Sequence, residues 1–252
     1  MNAQQAVRDD ICRVGRSLFE RGYVHATAGN ISVRLSAEQG GGTLITPTDA
    51  CLGFLQPDAL AWVSDDGEQL SGERASKTLA LHRRIYAAEP DAGCIIHTHS
   101  THLVALSLLH NAQRCAAQNA PRRVPTSAPS NPGAAAPSAS DDLLPPITPY
   151  FVMKVGRVPL IPYHRPGDPA VADVVAARIQ KARDAGIPLR AVMLERLGPN
   201  VWHQTPAQAM TVLEELEETA RLWLVAQTAG QRIEPLSPDR LEELRQHFGA
   251  AW

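Results

Sequence analysis

The sequence predicts a single α/β domain built on a central, mostly antiparallel sheet flanked by helices. Three features point there. Strand-like and helix-like segments are interspersed without the strict strand–helix–strand alternation of a parallel sheet. Two strand-like segments near the N-terminus are joined by a Gly-rich turn, as the arms of a hairpin are. A chain of 252 residues with 44% hydrophobic content is long and apolar enough to bury one large core.

The elements follow in order. Val7, Ile11, Val14 and Leu18 recur at steps of three and four, the apolar stripe of an amphipathic helix over residues 3–20. Asn30-Ile-Ser-Val-Arg-Leu alternates polar and apolar side chains as a half-buried strand does, and Thr43-Leu-Ile-Thr is its expected hairpin partner. A short strand is expected at 59–63, before the turn Ser64-Asp65-Asp66-Gly67. A helix over 76–88 precedes Cys94-Ile95-Ile96, which reads as a buried strand. Residues 111–142 differ in kind. Five prolines from Pro121 to Pro137 stand among Ala, Ser and Asn, too few large apolar groups to offset ordering entropy, so a disordered surface insertion is expected. Beyond it, strands are expected at 151–155, 160–163 and 191–194, with helices over 169–185 and 205–230. Thr205-Pro206 opens the last helix with a cap and a first-turn proline, and its Glu214, Glu215, Glu217, Glu218 face is expected to be solvated.

Composition removes several functional classes. A formal charge of −2 gives no electrostatic basis for binding nucleic acid or an anionic membrane. The four cysteines (Cys12, Cys51, Cys94, Cys115) form no Cys-x-x-Cys pair, which argues against a zinc ribbon, a dithiol redox site or a disulfide framework. No run approaches the roughly 20 apolar residues of a membrane span, and the N-terminal residues carry early acids rather than a signal sequence. A cytoplasmic location is expected.

The strongest chemical signal is His97-x-His99 at the exit of a buried strand. Strand residues two apart share a face, so the two imidazoles can chelate one divalent ion, although two hydrogen-bonded or exposed histidines would also satisfy the pattern. Thr27-Ala28-Gly29-Asn30 forms a small turn that can present N–H donors to an anion. Ser71-Gly72 and Ser76-Lys77 add hydroxyls and one positive charge at a helix start, favourable for phosphate or simply a helix cap.

Together the motifs are recognisable. Thr27-Ala-Gly-Asn-Ile-Ser-Val-Arg, Leu44-Ile-Thr-Pro-Thr, Ser71-Gly-Glu-Arg-Ala-Ser-Lys and Ile96-His-Thr-His-Ser resemble, in order and spacing, the class II aldolase and adducin family. Leu144-Pro-Pro-Ile-Thr-Pro-Tyr-Phe-Val-Met, Pro162-Tyr-His-Arg-Pro-Gly-Asp-Pro and Leu213-Glu-Glu-Leu-Glu-Glu-Thr-Ala are similar to one branch of it, the 3-oxo-tetronate 4-phosphate decarboxylases. The resemblance implies a homotetramer and one Zn²⁺ per subunit bound by His97 and His99. It places Asn30, Thr48, Ser76 and Lys77 around the phosphate of a sugar-acid phosphate, and Tyr150 where a tyrosine is lent to a neighbouring subunit's site as a catalytic group. The implied reaction is decarboxylation to dihydroxyacetone phosphate and CO₂ in acid-sugar catabolism. Another sugar-phosphate aldolase, epimerase or dehydratase reaction is the alternative.

Two positions depart from the family pattern. Leu197 stands where the third zinc histidine is expected, and Thr78 where the acid/base glutamate is expected. An aliphatic chain cannot ligate a metal, and a threonine hydroxyl is neither carboxylate ligand nor base near neutral pH. Glu195, His203 and His102 are near enough in sequence to be considered as substitutes. The departures support a second reading, a catalytically impaired homologue that acts as a binding or structural subunit.

Overall fold

The computed structural model describes residues 3–119, 142–230 and 233–252. The first helix, α1 (Ala3–Glu20), follows its sequence stripe: Ile11, Val14 and Leu18 are buried. Arg8 is buried as well, and its guanidinium donates to the carbonyls of Pro57 (2.8 Å) and Leu60 (3.0 Å), which ties the helix to the loop beneath it.

Among the described residues, eight strands make one sheet. In chain order they are β1 (Asn30–Arg34), β2 (Thr43–Ile45), β3 (Ala61–Val63), β4 (Gln69–Ser71), β5 (Cys94–His97), β6 (Leu160–Ile161), β7 (Ala191–Leu194) and β8 (Gly198–His203). They lie side by side as β4-β3-β2-β1-β5-β8-β7-β6. Every pairing is antiparallel except β6 with β7. The other helices are α2 (Leu79–Ala88), α3 (Thr101–Asn119), α4 (Ala170–Asp184), α5 (Pro206–Thr228) and α6 (Pro238–Phe248). No described helix is long and apolar enough to cross a membrane.

Strand alternation sorts the core into two layers. Ile31, Val33, Cys94, Ile96, Met193 and Val201 face one side, where they meet Ile11 and Leu18 of α1 and Leu213 and Leu216 of α5. Ile95, Val192, Leu194 and Trp202 face the other, against Ile85 of α2 and Val175 and Ile179 of α4. Asn30, Ser32, His97 and Asn200 share the parity of this second set, so the α2/α4 face carries the polar positions.

The structure departs from the sequence reading in places. The helix α3 runs through residues 111–119, nine positions of the expected disordered insertion, because Ala112, Gln113, Arg114, Ala116, Ala117 and Gln118 are good helix formers and the first proline is Pro121. Residues 120–141, the remainder of that insertion, lie outside the described residues, and Asp142 already bridges to Pro159. The expected strand at 151–155 is a π turn, Phe151–Val155. Its Phe151 ring packs edge-on against Trp252 at 5.7 Å, and Arg190 reaches the carbonyls of Met153 and Lys154, so tertiary contacts override the strand-like composition. Glu217 is buried at 3% exposure rather than solvated.

Candidate active site

Asn30 on β1 is the register partner of His97 on β5, and His97 is the register partner of Asn200 on β8. Directly opposed residues in antiparallel strands project to the same face. Three polar side chains from the three central strands therefore form one row at the strand ends. A cavity of about 380 Å³ opens over them, walled by the 27–29 turn, the Thr48 loop, residues 76–78, His99, Leu197 and the loop over 162–169.

Two glycines let these loops close up. At Gly29 (φ +86°) a Cβ would meet the His97 carbonyl oxygen at 2.8 Å. At Gly198 (φ +145°) it would meet the Thr98 carbonyl oxygen at 1.9 Å. Both positions combine a backbone conformation that disfavours side chains with an approach that excludes one. Among the described residues, three non-glycine positions also hold positive φ, namely Ala26, Asp49 and Arg196. Each stands in a loop at the cavity rim, a concentration of backbone strain of the kind found around ligand sites.

The histidine pair is set up as neutral donors. The Nδ1–H of His97 donates to the Pro199 carbonyl at 2.9 Å, which leaves Nε2 with its lone pair. Burial lowers the His97 pKa to about 4, helped by the neighbouring His99 and opposed by the Pro199 carbonyl. Partial burial, and then His25, lowers that of His99 as well. The two rings stand 5.0 Å apart at a 70° interplanar angle. Neutral imidazoles with a free nitrogen are the form that binds a metal.

The opposite wall suits an anion. Ser76, Lys77 and Thr78 immediately precede the first turn of α2, with Thr78 as its cap residue. Ser76 N–H is held by the Thr46 carbonyl (3.2 Å) and Thr48 N–H by the Arg74 carbonyl (2.9 Å), which fixes the two loops side by side. The Ser76 and Thr78 hydroxyls are 3.0 Å apart. A helix N-terminus, three hydroxyls, the Asn30 amide and the Lys77 charge together favour a phosphate-like group. All the sequence-predicted phosphate and metal residues thus line one cavity: Asn30, Thr48, Ser76, Lys77, His97 and His99.

Other expected positions are not brought to this chain's cavity or cannot serve there. Tyr150 is 63% exposed at the start of the π turn and is not in the cavity wall. Leu197 does line the cavity, packed against the apolar layer under α2 and α4. Glu195 accepts from Tyr163 N–H at 3.0 Å, and His102 is held by Glu217 at 2.8 Å. His203 pairs with Cys94 at the end of β8 remote from the cavity. Among the described residues no group of three or more His, Cys, Asp or Glu converges on a metal position. The full three-histidine set of the family pattern is therefore absent among the described residues, and of that set the imidazole pair alone remains to hold a metal.

Sequence reasoning missed Asn200 and the 162–169 loop as wall elements. Asn200 was hidden because Pro199 interrupts its strand, and proline argues against a strand interior. The loop was visible as a motif but carried no assigned role.

The chain matches the family described as the Class II Aldolase and Adducin N-terminal domain over residues 9–224. It is 48% identical, over the full length of both chains, to a 3-oxo-tetronate 4-phosphate decarboxylase of Cupriavidus necator. It is 35% identical to the protein of that name in Escherichia coli K12, over 96% of each chain. Among solved structures, YgbL of Klebsiella pneumoniae aligns with TM-score 0.75 and 35% identity, covering 96% of this chain and 99% of its own. An L-fuculose 1-phosphate aldolase aligns with TM-score 0.71 at 22% identity, over 97% of this chain and 96% of its own, a likeness of fold alone. The chain belongs to the class II aldolase and adducin family. It is an enzyme of the lyase class.

Proposed function

We propose that this chain decarboxylates a 3-oxo-tetronate 4-phosphate to dihydroxyacetone phosphate and CO₂, with one divalent metal ion, zinc by resemblance, at His97 and His99. The observation that carries the reading is the union, in one cavity, of a neutral imidazole pair and an anion cradle at a helix N-terminus. The full-length relatives named as decarboxylases support it.

Such a substrate carries its C1 carboxylate β to the C3 ketone, so the C1–C2 bond can break, releasing CO₂, with its electron pair passing into a C2–C3 double bond and the ketone oxygen taking the charge. A metal held by His97 and His99 would supply Lewis-acid stabilisation of that oxygen. Ser76, Thr48, Asn30 and Lys77 hold the phosphate, which fixes the distance between the phosphate end and the histidines. C2 then takes up a proton to give the hydroxymethyl ketone. No carbon-bound proton has to be removed, so Thr78 in place of a carboxylate affects reprotonation and metal retention more than bond cleavage. By resemblance Tyr150, exposed in this chain, serves a neighbouring subunit's site in a homotetramer, and the phosphorylated substrate fits a cytoplasmic reaction.

Leu197 and Thr78 favour a second reading, a subunit that retains the fold and binds without catalysis. Metal content measured together with CO₂ release from the oxo-acid phosphate separates the two. The decarboxylase reading expects bound metal and turnover. Its absence even with added zinc, restored by Leu197→His together with Thr78→Glu, supports the second.

A further inference from the structure

Among the described residues, several buried polar atoms at or beneath the cavity have no hydrogen-bond partner: Asn30 Oδ1 and both Oδ1 and Nδ2 of Asn200 in its lining, and His82 Nε2 outside it. His82 is held on its other side by Ser32 Oγ at 2.7 Å. Asn200 is the extreme case, 1% exposed with neither end of its carboxamide satisfied. Its neighbours Val201 and Trp202 are apolar and buried. A buried polar group without a partner costs about 1–3 kcal/mol, which an aliphatic side chain of similar size at this position would avoid. The amide therefore calls for a group that the described residues do not supply.

Leu197 sits three residues earlier on the same hairpin, where a metal donor is expected by resemblance. The turn lacks the expected donor, while an unpartnered amide stands opposite His97. We infer that the Asn200 side-chain oxygen is the third protein donor to the divalent cation gripped by His97 and His99, standing in for the imidazole that Leu197 replaces. The inference rests on the metal reading above and adds a donor that His, Cys, Asp and Glu alone do not provide. An amide oxygen is a harder donor than imidazole, so the exchange moves the site's preference toward oxygen-seeking ions such as Mn²⁺ relative to a three-histidine site.

The test is calorimetric titration of the metal-stripped full-length protein with Zn²⁺ and, separately, Mn²⁺, comparing wild type, Asn200→Leu, Asn200→Asp and His99→Ala. Wild type is expected to bind one ion per chain, Asn200→Leu to bind about tenfold more weakly or worse, and Asn200→Asp more tightly, because a carboxylate adds charge to the same donor position. Thermal melts without metal report whether each variant folds. Equal affinity of wild type and folded Asn200→Leu, alongside loss in His99→Ala, overturns the inference and leaves the metal reading standing. No binding by wild type overturns both. Should Asn200→Leu not fold, Asn200→Asp decides, and unchanged or weaker binding overturns the inference.

Discussion

The Glu217 carboxylate of α5 closes the N-terminus of α3 through His102. One oxygen accepts from His102 N–H (3.0 Å) and from His102 Nδ1–H (2.8 Å), and the other accepts from Leu103 N–H (3.2 Å). An anion at that end satisfies donors a helix leaves unpaired and complements its dipole. The capped helix starts two residues after His99, so the buried acid steadies the exit of the histidine strand. Glu217→Ala is expected to lower unfolding free energy by about 2–3 kcal/mol, measured by denaturant midpoint. Glu217→Gln, which keeps one acceptor, should cost less. Equal stability of both variants and wild type would refute the capping role.

The close approach at Gly198 predicts a sharp contrast between two glycines of positive φ. Gly198→Ala puts a methyl group against the Thr98 carbonyl, whereas a Cβ at Gly186 meets nothing within 4 Å. Gly186→Ala is expected to cost about 1 kcal/mol from backbone strain alone. Gly198→Ala should cost several-fold more and displace the His97–His99 segment, which thermal melts and metal titration of the two variants would read.

Acid should weaken the fold through two histidines. Burial, together with the neighbouring His97, lowers His82 to about 3, and His97 itself lies at about 4, against an ordinary value of 6.5. Between those values the unfolded chain binds protons that the folded chain refuses, so stability rises with pH over this window. The contribution is complete above about pH 6.5 and is lost progressively as pH falls toward 3–4. The loss is expected to be a few kcal/mol, on the scale of about 1.4 kcal/mol for each tenfold difference in proton affinity. Melting temperature against pH measures it, and His82→Asn should flatten the slope. An unchanged slope would mean that His82 does not contribute.

Lys77 is the exposed cation of this wall, while the hydroxyls around it are half-buried. Lys77→Ala is expected to weaken binding of inorganic phosphate by about tenfold and to raise KM more than it lowers kcat. The discriminating measurement is phosphate affinity at two ionic strengths: a charge contact fades with salt, and a salt-independent effect would assign Lys77 a packing role instead.

Much of this architecture was legible from spacing. The stripe Ile11, Val14, Leu18 gave α1, and the run Cys94-Ile95-Ile96 leading into His97 gave β5 and one half of the site. What escaped was set by partners distant in sequence. The strand-like composition of 151–155 yielded to the Trp252 ring and the reach of Arg190. Glu217 looked like one acid among four on a polar helix face, and only the arrival of α3 shows why it is buried. Asn200 became visible as a site residue only when β8 was seen to lie beside β5, a pairing that Pro199 conceals in the sequence. Leu197 and Thr78 were read at once as departures, yet sequence alone could not say that Glu195, His102 and His203 are each engaged elsewhere or remote.

The row Asn30–His97–Asn200 has a consequence for how the molecule comes into being. His97 and Pro199, joined through one hydrogen bond, are 102 positions apart. Contacts of such separation form only after a large loop-closure entropy has been met. During synthesis β1, β2 and β5 can emerge and pair while the floor of the cavity is still missing, because β8 leaves the ribosome after all three. The imidazole pair is thus exposed on a growing, half-built sheet before its binding geometry exists. On the metal reading proposed above, ion capture by a refolding chain should track completion of the central sheet, making uptake a clock for that folding step.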